Sequence, residues 1–402
     1  MTWAHVVELV QTLALRMSAG PALPALAAAL LTLELLRLEP RGRAGIVPVI
    51  AVGALAWLVA TGPATELRMV PLGVGVAVAA LARDRDELLH GECALKLAWV
   101  LGSALALSWA GLHLLTLATG TPRVNEQWAV LSLGLDASFL WSTALPLSLL
   151  AGLVLLGGAP FHFWVADVFQ GVRPWLAPLV VASLQVSGAG WLVYRLAGIS
   201  AFPAAAELAR SLLVVASLAA SIAGAATLTV QRRPERRAGT LASLQGGLVL
   251  AMLAGGRLDD AWVGRWAAHL VLAYVGAATF VHFLPVSTGR LGPGAPLFRR
   301  HPVPALAGVL ALASLAGLPG TPGMGLWLDA AKALVSRGHV FTAIAFGIAW
   351  LASIAAVLAQ MREGFGLPSV GTVHTVPRPA RVALGGSGVL LLAMAVLSWS
   401  GR

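Results

Sequence analysis

Lysine is nearly missing: of 27 basic residues only Lys96 and Lys332 are lysine, and the rest are arginine. Charged residues of all kinds make up 11% of the chain, against about 25% in a soluble domain. The polar surface needed to live in water is absent. A single cysteine, Cys93, excludes an internal disulfide and any Cys-based cluster or zinc site within the chain. There is no P-loop, dinucleotide fingerprint or nucleophile–base arrangement. The glycine-rich piece Gly385-Gly-Ser-Gly388 opens an apolar stretch instead of joining strand to helix, and close helix packing accounts for it. No ligand set for a redox cofactor is present, so none is expected in this chain.

What is plentiful is apolar sequence, 58% of 402 residues, with a mean hydropathy of +0.84. Apolar stretches of about 20 residues recur from end to end, long enough to cross roughly 30 Å of hydrocarbon as helix. In lipid every backbone N–H and C=O must be satisfied internally, so Leu- and Ala-rich runs read as helices and not as barrel strands. The fold class is an all-α polytopic membrane protein with about twelve transmembrane helices. Its spans fall near 21–38, 46–62, 67–82, 93–118, 139–157, 176–197, 206–230, 239–256, 265–285, 303–335, 340–361 and 382–399. Residues 1–19 read as an amphipathic interfacial lead-in. The division is 1–62 for that segment and the leading helices, and 63–402 for the main transmembrane domain.

Two spans carry helix-breaking sequence. Gly317-Leu-Pro-Gly-Thr-Pro-Gly323 interrupts 303–335 with Pro319 and Pro322, and Gly157-Gly-Ala-Pro160 interrupts the other. Loop charge supports the count. If Arg232, Arg233, Arg236 and Arg237 are cytoplasmic, alternation also puts Arg290, Arg299, Arg300, Arg362, Arg378 and Arg381 inside. The intervening loops carry only Arg257, Arg265 and Arg337. This is the positive-inside pattern, and it reads the net charge of +10 as topology and not as nucleic-acid binding. Gly62-Pro63 then separates two spans, because two crossings keep Arg37, Arg41 and Arg43 inside.

Ionisable groups within spans are costly and therefore functional candidates. Glu66 reads either as a solvated interfacial carboxylate or as a buried one able to relay protons. Glu92 and Lys96 have the spacing of an i,i+4 pair, or of a solvated helix end with Lys96 snorkelling. His113 lies three-quarters along its span, as a titrating imidazole or a core or interfacial histidine; His269 and His282 take the same two readings. Asp329 and Lys332, just past the second break, can pair on one helix face, as an ion-path element or a structural ion pair.

Residues Pro160-Phe-His-Phe-Trp-Val-Ala-Asp-Val-Phe-Gln-Gly171 resemble the signature of the antiporter-like membrane subunits of respiratory complex I, particularly the N-type subunit. Further matches follow in order. They are Glu66-Leu-Arg-Met-Val-Pro71, Glu92-Cys-Ala-Leu-Lys96 with Gly102 and Ala118-Thr-Gly-Thr121, the Arg237 to Leu244 segment, and Ser314-Leu-Ala-Gly-Leu-Pro319 followed by Gly323. The resemblance covers about residues 60 to 400. It implies two inverted five-helix repeats, each with one broken helix, and the breaks fall where expected. It also implies a multi-pass subunit in a bacterial inner membrane, working with other membrane subunits of the assembly, with the electron chemistry in partner subunits, whether the donor is NADH or another reductant.

The departures are as informative. Where the family carries intramembrane lysines this chain has Leu155, Gln185 and Trp327. Leu and Trp do not titrate, and Gln orients water without carrying charge. Lys332 is displaced from the third position by five residues, about 140° around a helix and roughly 7.5 Å along it. The resemblance therefore implies a membrane-arm subunit of a redox-driven, proton-translocating assembly with a degenerate or rerouted path, for which Glu66, Lys96, His113, His162, Gln185, Asp329 and Lys332 are candidates. A non-pumping structural subunit, or a component of an Mrp-type cation/proton antiporter, are the alternatives.

Overall fold

The computed structural model describes residues 88–133, 138–158, 160–174, 176–257, 260–283, 298, 301–365 and 377–400. The expected spans at 21–38, 46–62 and 67–82, together with Glu66 and the division at residue 62, lie outside the described residues. Every span expected from 93–118 onward has its helix, and no strand occurs among the described residues. In order these are α1 (Leu88–Thr119), α2 (Val124–Ser132), α3 (Ser138–Leu155), α4 (Phe163–Gly171), α5 (Ala177–Leu196), α6 (Pro203–Val230), α7 (Pro234–Ala254), α8 (Asp260–Phe283), α9 (Pro302–Leu315), α10 (Pro322–Ser336), α11 (Val340–Phe365) and α12 (Arg378–Ser400). Proline starts α6, α7, α9 and α10, where its missing N–H would have no helical partner and its fixed φ suits the first turn.

Seven described helices are long and apolar enough to cross a membrane, and α3 and α9 are shorter apolar helices. The shorter two are first halves of broken crossings, completed by α4 and α10. In the first break Gly157 has φ +66°, and its N–H donates to Val154 O at 3.0 Å. In the second Gly317 has φ +66° and donates to Ser314 O at 3.1 Å. Both are left-handed ends that glycine accepts without a Cβ clash.

Contacts at the helix ends fix their directions. At one end Lys96 of α1 meets Asp167 of α4, Asp167 meets Arg236 of α7, and Gln360 of α11 donates to Pro234 O at 2.9 Å. At the opposite end Arg337, just past α10, donates to Gly255 O at 3.3 Å, and Arg265 of α8 faces Asp329 of α10. So α3–α4 finishes at the first end and α9–α10 at the second: the two broken crossings run antiparallel, as inverted repeats require. The first end is also the arginine-rich one, which fits the charge bias in the sequence.

α7 and α8 form the middle of the bundle, with 89% and 78% of their spanning windows buried, whereas α1, α6 and α11 are peripheral at 33%. Close approach of the central helices depends on small residues. A Cβ on Gly188 of α5 would lie 2.8 Å from Gly152 O of α3, and one on Gly239 of α7 would lie 2.6 Å from Ala166 Cα of α4.

Candidate functional site

Breaking a helix inside a bundle frees carbonyls that water cannot reach, so neighbouring side chains must serve them. At the first break Gln185 of α5 does so. Its Nε2 donates to Leu156 O at 2.9 Å and to Ala242 O of α7 at 3.0 Å. The Tyr274 hydroxyl, from α8, lies 2.6 Å from Gln185 Oε1 and 2.9 Å from Ala242 O. Ser243 donates to Gly157 O, and the Trp164 indole donates to Val154 O at 3.0 Å. Gln185 and Tyr274 are 0% exposed. Both amide hydrogens are committed to backbone carbonyls, so this glutamine ties four elements together and has no donor to spare.

The second break uses similar parts. The Trp327 indole on α10 donates to Leu315 O at 3.0 Å, as Gln245 Nε2 of α7 does at 2.7 Å. The Trp350 indole on α11 serves Gly317 O at 3.1 Å and stacks on Trp327, with centroids 5.7 Å apart. Ser314 Oγ accepts the Gly323 N–H at 3.2 Å and lies 2.8 Å from His269 Nε2 of α8. His269 Nδ1 and Gln245 Oε1 are buried and carry no hydrogen bond among the described residues. His269 is the one imidazole among the side chains serving the two breaks.

A third cluster closes the arginine-rich end. Asp167 accepts from Lys96 at 3.0 Å and from Arg236 at 2.8 Å, while Lys96 also reaches Glu92 at 2.7 Å. Two carboxylates and two cations thus link α1, α4 and α7. Asp167 is half-buried, 16% exposed, whereas Lys96 is 44% exposed.

The candidates read from the sequence separate in space. Leu155, Trp327 and Gln185, the positions where the resemblance implies lysines, are buried at 1%, 0% and 0%. Pro160 and Pro319 lie in the breaks, and Pro322 opens α10. Lys96 and Glu92 do pair, with Asp167 added. Asp329 does not pair with Lys332: its partner is Arg265, at 3.7 Å, and Lys332 is exposed. An i,i+3 pair stabilises a helix by only about 0.2–0.5 kcal/mol, so a guanidinium reaching across from α8 displaces it. His113 lies on the outer face of α1, off the stripe of Leu97, Leu101, Ala104, Ser108 and Leu115 that meets the bundle. His162 is half-buried at the start of α4, its Nδ1 without a hydrogen bond. Spacing alone does not single out Asp167, Arg236, Tyr274, Ser243, Gln245 or Ser314. Asp167 stands inside the Pro160–Gly171 motif, which is the one signal that could have found it.

No protein-family profile matches the chain. NADH-quinone oxidoreductase subunit N of Thiobacillus denitrificans is 26% identical over 325 residues, covering 79% of this chain and 67% of that one. Subunit N 1 of Streptomyces griseus is 33% identical over 219 residues, covering 52% and 43%. The chain thus spans about two thirds or less of these relatives' length. Among solved structures, a chain of respiratory complex I from Thermus thermophilus with bound aureothin superposes with a TM-score of 0.73 at 24% identity, covering 95% of this chain and 84% of that one. A chain of the Mrp complex from Dietzia sp. DQ12-45-1b gives 0.74 at 15% identity, covering 96% and 81%. In sequence the chain is thus similar to curated relatives named NADH-quinone oxidoreductase subunit N, and in fold it is similar to chains of respiratory complex I and of the Mrp complex.

Proposed function

We propose that the chain is a membrane-arm subunit of a complex I-like, redox-driven proton-translocating assembly, with its first half closed to protons and the remaining traffic rerouted past His269 at the second break. The observation that carries this reading is the state of Gln185. A lysine there would hold and release a proton. The amide has both hydrogens bound to carbonyls and its oxygen occupied by Tyr274. Leu155 and Trp327 fill the other two lysine positions with carbon and a bound indole. On this reading redox cofactors sit in companion subunits, the chain itself holds none, and the arginine-rich end faces the cytoplasm of a bacterial inner membrane.

The test is proton uptake per electron by the assembly in proteoliposomes, comparing the parent with Glu66→Gln and His269→Gln. A fall for His269→Gln with assembly retained supports the rerouted path. Unchanged uptake for both variants makes the subunit structural. Likeness in fold to the Mrp chain favours a second reading, a cation/proton antiporter component. Sodium-driven proton flux without any electron donor would support that one.

A further inference from the structure

Among the described residues Arg195 is the one arginine with no exposed surface, and no carboxylate there forms an ion pair with it. It stands in the last turn of α5, at the end of the bundle opposite the arginine-rich one, because α5 begins where α4 finishes. An arginine stays charged in a protein, and a buried charge is costly unless a counter-charge meets it. The carbonyl end of α5 supplies roughly half a charge at most. The guanidinium fork carries donors only. Its acceptor is Gln127 Oε1 of α2, an uncharged oxygen 3.4 Å from both Nη1 and Nη2. Arg195 Nε is buried without a hydrogen bond. The guanidinium carbon lies 5.9 Å from the centre of the Trp128 ring, at the outer reach of cation–π attraction, and the Trp128 indole N–H is buried and unbonded as well. Glu126 and Glu207, at the same end, are exposed and hold Arg123 at 2.9 Å and Arg210 at 2.6 Å.

We infer that Arg195 and Trp128 hold a compact inorganic anion of the halide class, which accepts from the guanidinium Nε–H and the indole N–H. Each unbonded donor then gains an acceptor, and the buried cation gains its counter-charge. Arg195, Gln127 and Trp128 are 0%, 1% and 0% exposed, so the site suits a monatomic ion better than a carboxylate arm from another subunit. It lies apart from both helix breaks, and the inference stands whether or not protons pass His269.

The experiment is reversible unfolding of the full chain in mixed micelles, with sodium gluconate replaced stepwise by sodium chloride or sodium bromide at constant ionic strength. Gluconate is too large for so closed a site. Both halides should raise stability along a saturating curve, and Arg195→Gln should abolish the response. Trp128→Phe, which keeps an aromatic ring and removes one donor, should raise the half-saturating chloride concentration about tenfold. Arg210→Gln, which removes an exposed cation from the same end, should leave the curve unchanged. If Arg195→Gln does not fold, Trp128→Phe still decides. Stability indifferent to halide, or an unchanged response in Arg195→Gln or Trp128→Phe, would overturn the inference, as would loss of the response in Arg210→Gln. A response that emerges only in Asp136→Asn would assign the counter-charge to that carboxylate and overturn it too.

Discussion

The two broken crossings are built alike and finished differently. Each turns on a glycine in the left-handed region and seals its last helical turn with an indole, and each helix after the break carries one aspartate tied to a neighbouring helix. At the first break Gln185, Tyr274 and Ser243 serve the freed carbonyls with neutral groups, and the glutamine amide is saturated. At the second His269 is part of the network, and two buried polar atoms, His269 Nδ1 and Gln245 Oε1, lack a hydrogen bond among the described residues. A saturated network holds a fold together, whereas protons move only where a group can gain or lose a hydrogen bond. The same architecture thus holds a fully bonded amide at one break and an imidazole with one unbonded nitrogen at the other.

The largest expected effect breaks both joints equally. A Cβ on Gly246 would overlap Leu156 O at the first break, and one on Gly323 would overlap Ser314 O at the second. Backbone cannot give way like a side-chain tip, so Gly246→Ala and Gly323→Ala should each lose about 3 kcal/mol or more. Gly347→Ala on α11, where a Cβ meets nothing within 4 Å, should be neutral or slightly stabilising. Reversible unfolding in mixed micelles would measure all three. Two tolerated break variants would mean that the close helix approach drawn at the breaks is wrong.

Next in size is the asymmetry itself. Gln185→Leu strips Leu156 O of its side-chain donor, though Tyr274 still serves Ala242 O, and a buried carbonyl left in that state costs about 1–3 kcal/mol. Trp327→Phe removes an indole bond to Leu315 O, but Gln245 keeps that carbonyl bonded, so the loss should be nearer 1 kcal/mol. The same unfolding measurement ranks them. If Trp327→Phe proves the costlier by more than about 1 kcal/mol, the first break is not the more tightly bonded of the two.

How much of this was legible follows from what each residue interacts with. Both breaks were readable because proline and glycine act on their own backbone, and the membrane fold was readable because composition is not a matter of contacts. Loop arginines marked, by number alone, one end of the described helices. Glu92 and Lys96 were readable as neighbours on one helix, but their third partner was not, since Asp167 lies 71 residues from Lys96. Tyr274 and Gln185 are 89 apart, and no local periodicity relates them. His113 stays open between a core and an interfacial reading for another reason: α1 is apolar on both its bundle and its outer faces, so its sequence does not mark which one a histidine occupies.

The smallest effects separate the two aspartates. Asp167, which is 16% exposed, accepts from Lys96 and Arg236 at 3.0 and 2.8 Å, whereas Asp329 has one partner, Arg265, at 3.7 Å and 64% exposed. Solvent screens both sites, so neither approaches the strength of a buried pair. Asp167→Asn should still cost about 1 kcal/mol, because it leaves two cations without the carboxylate that links α1 to α7. Asp329→Asn should cost under about 0.5 kcal/mol. Raising ionic strength should shrink both losses, that of Asp329→Asn first, since the more exposed pair is screened first. If the two variants were equally stable at low salt, Asp167 would be a surface residue in energetic terms, and the first half would owe its cohesion to the Gln185 network alone.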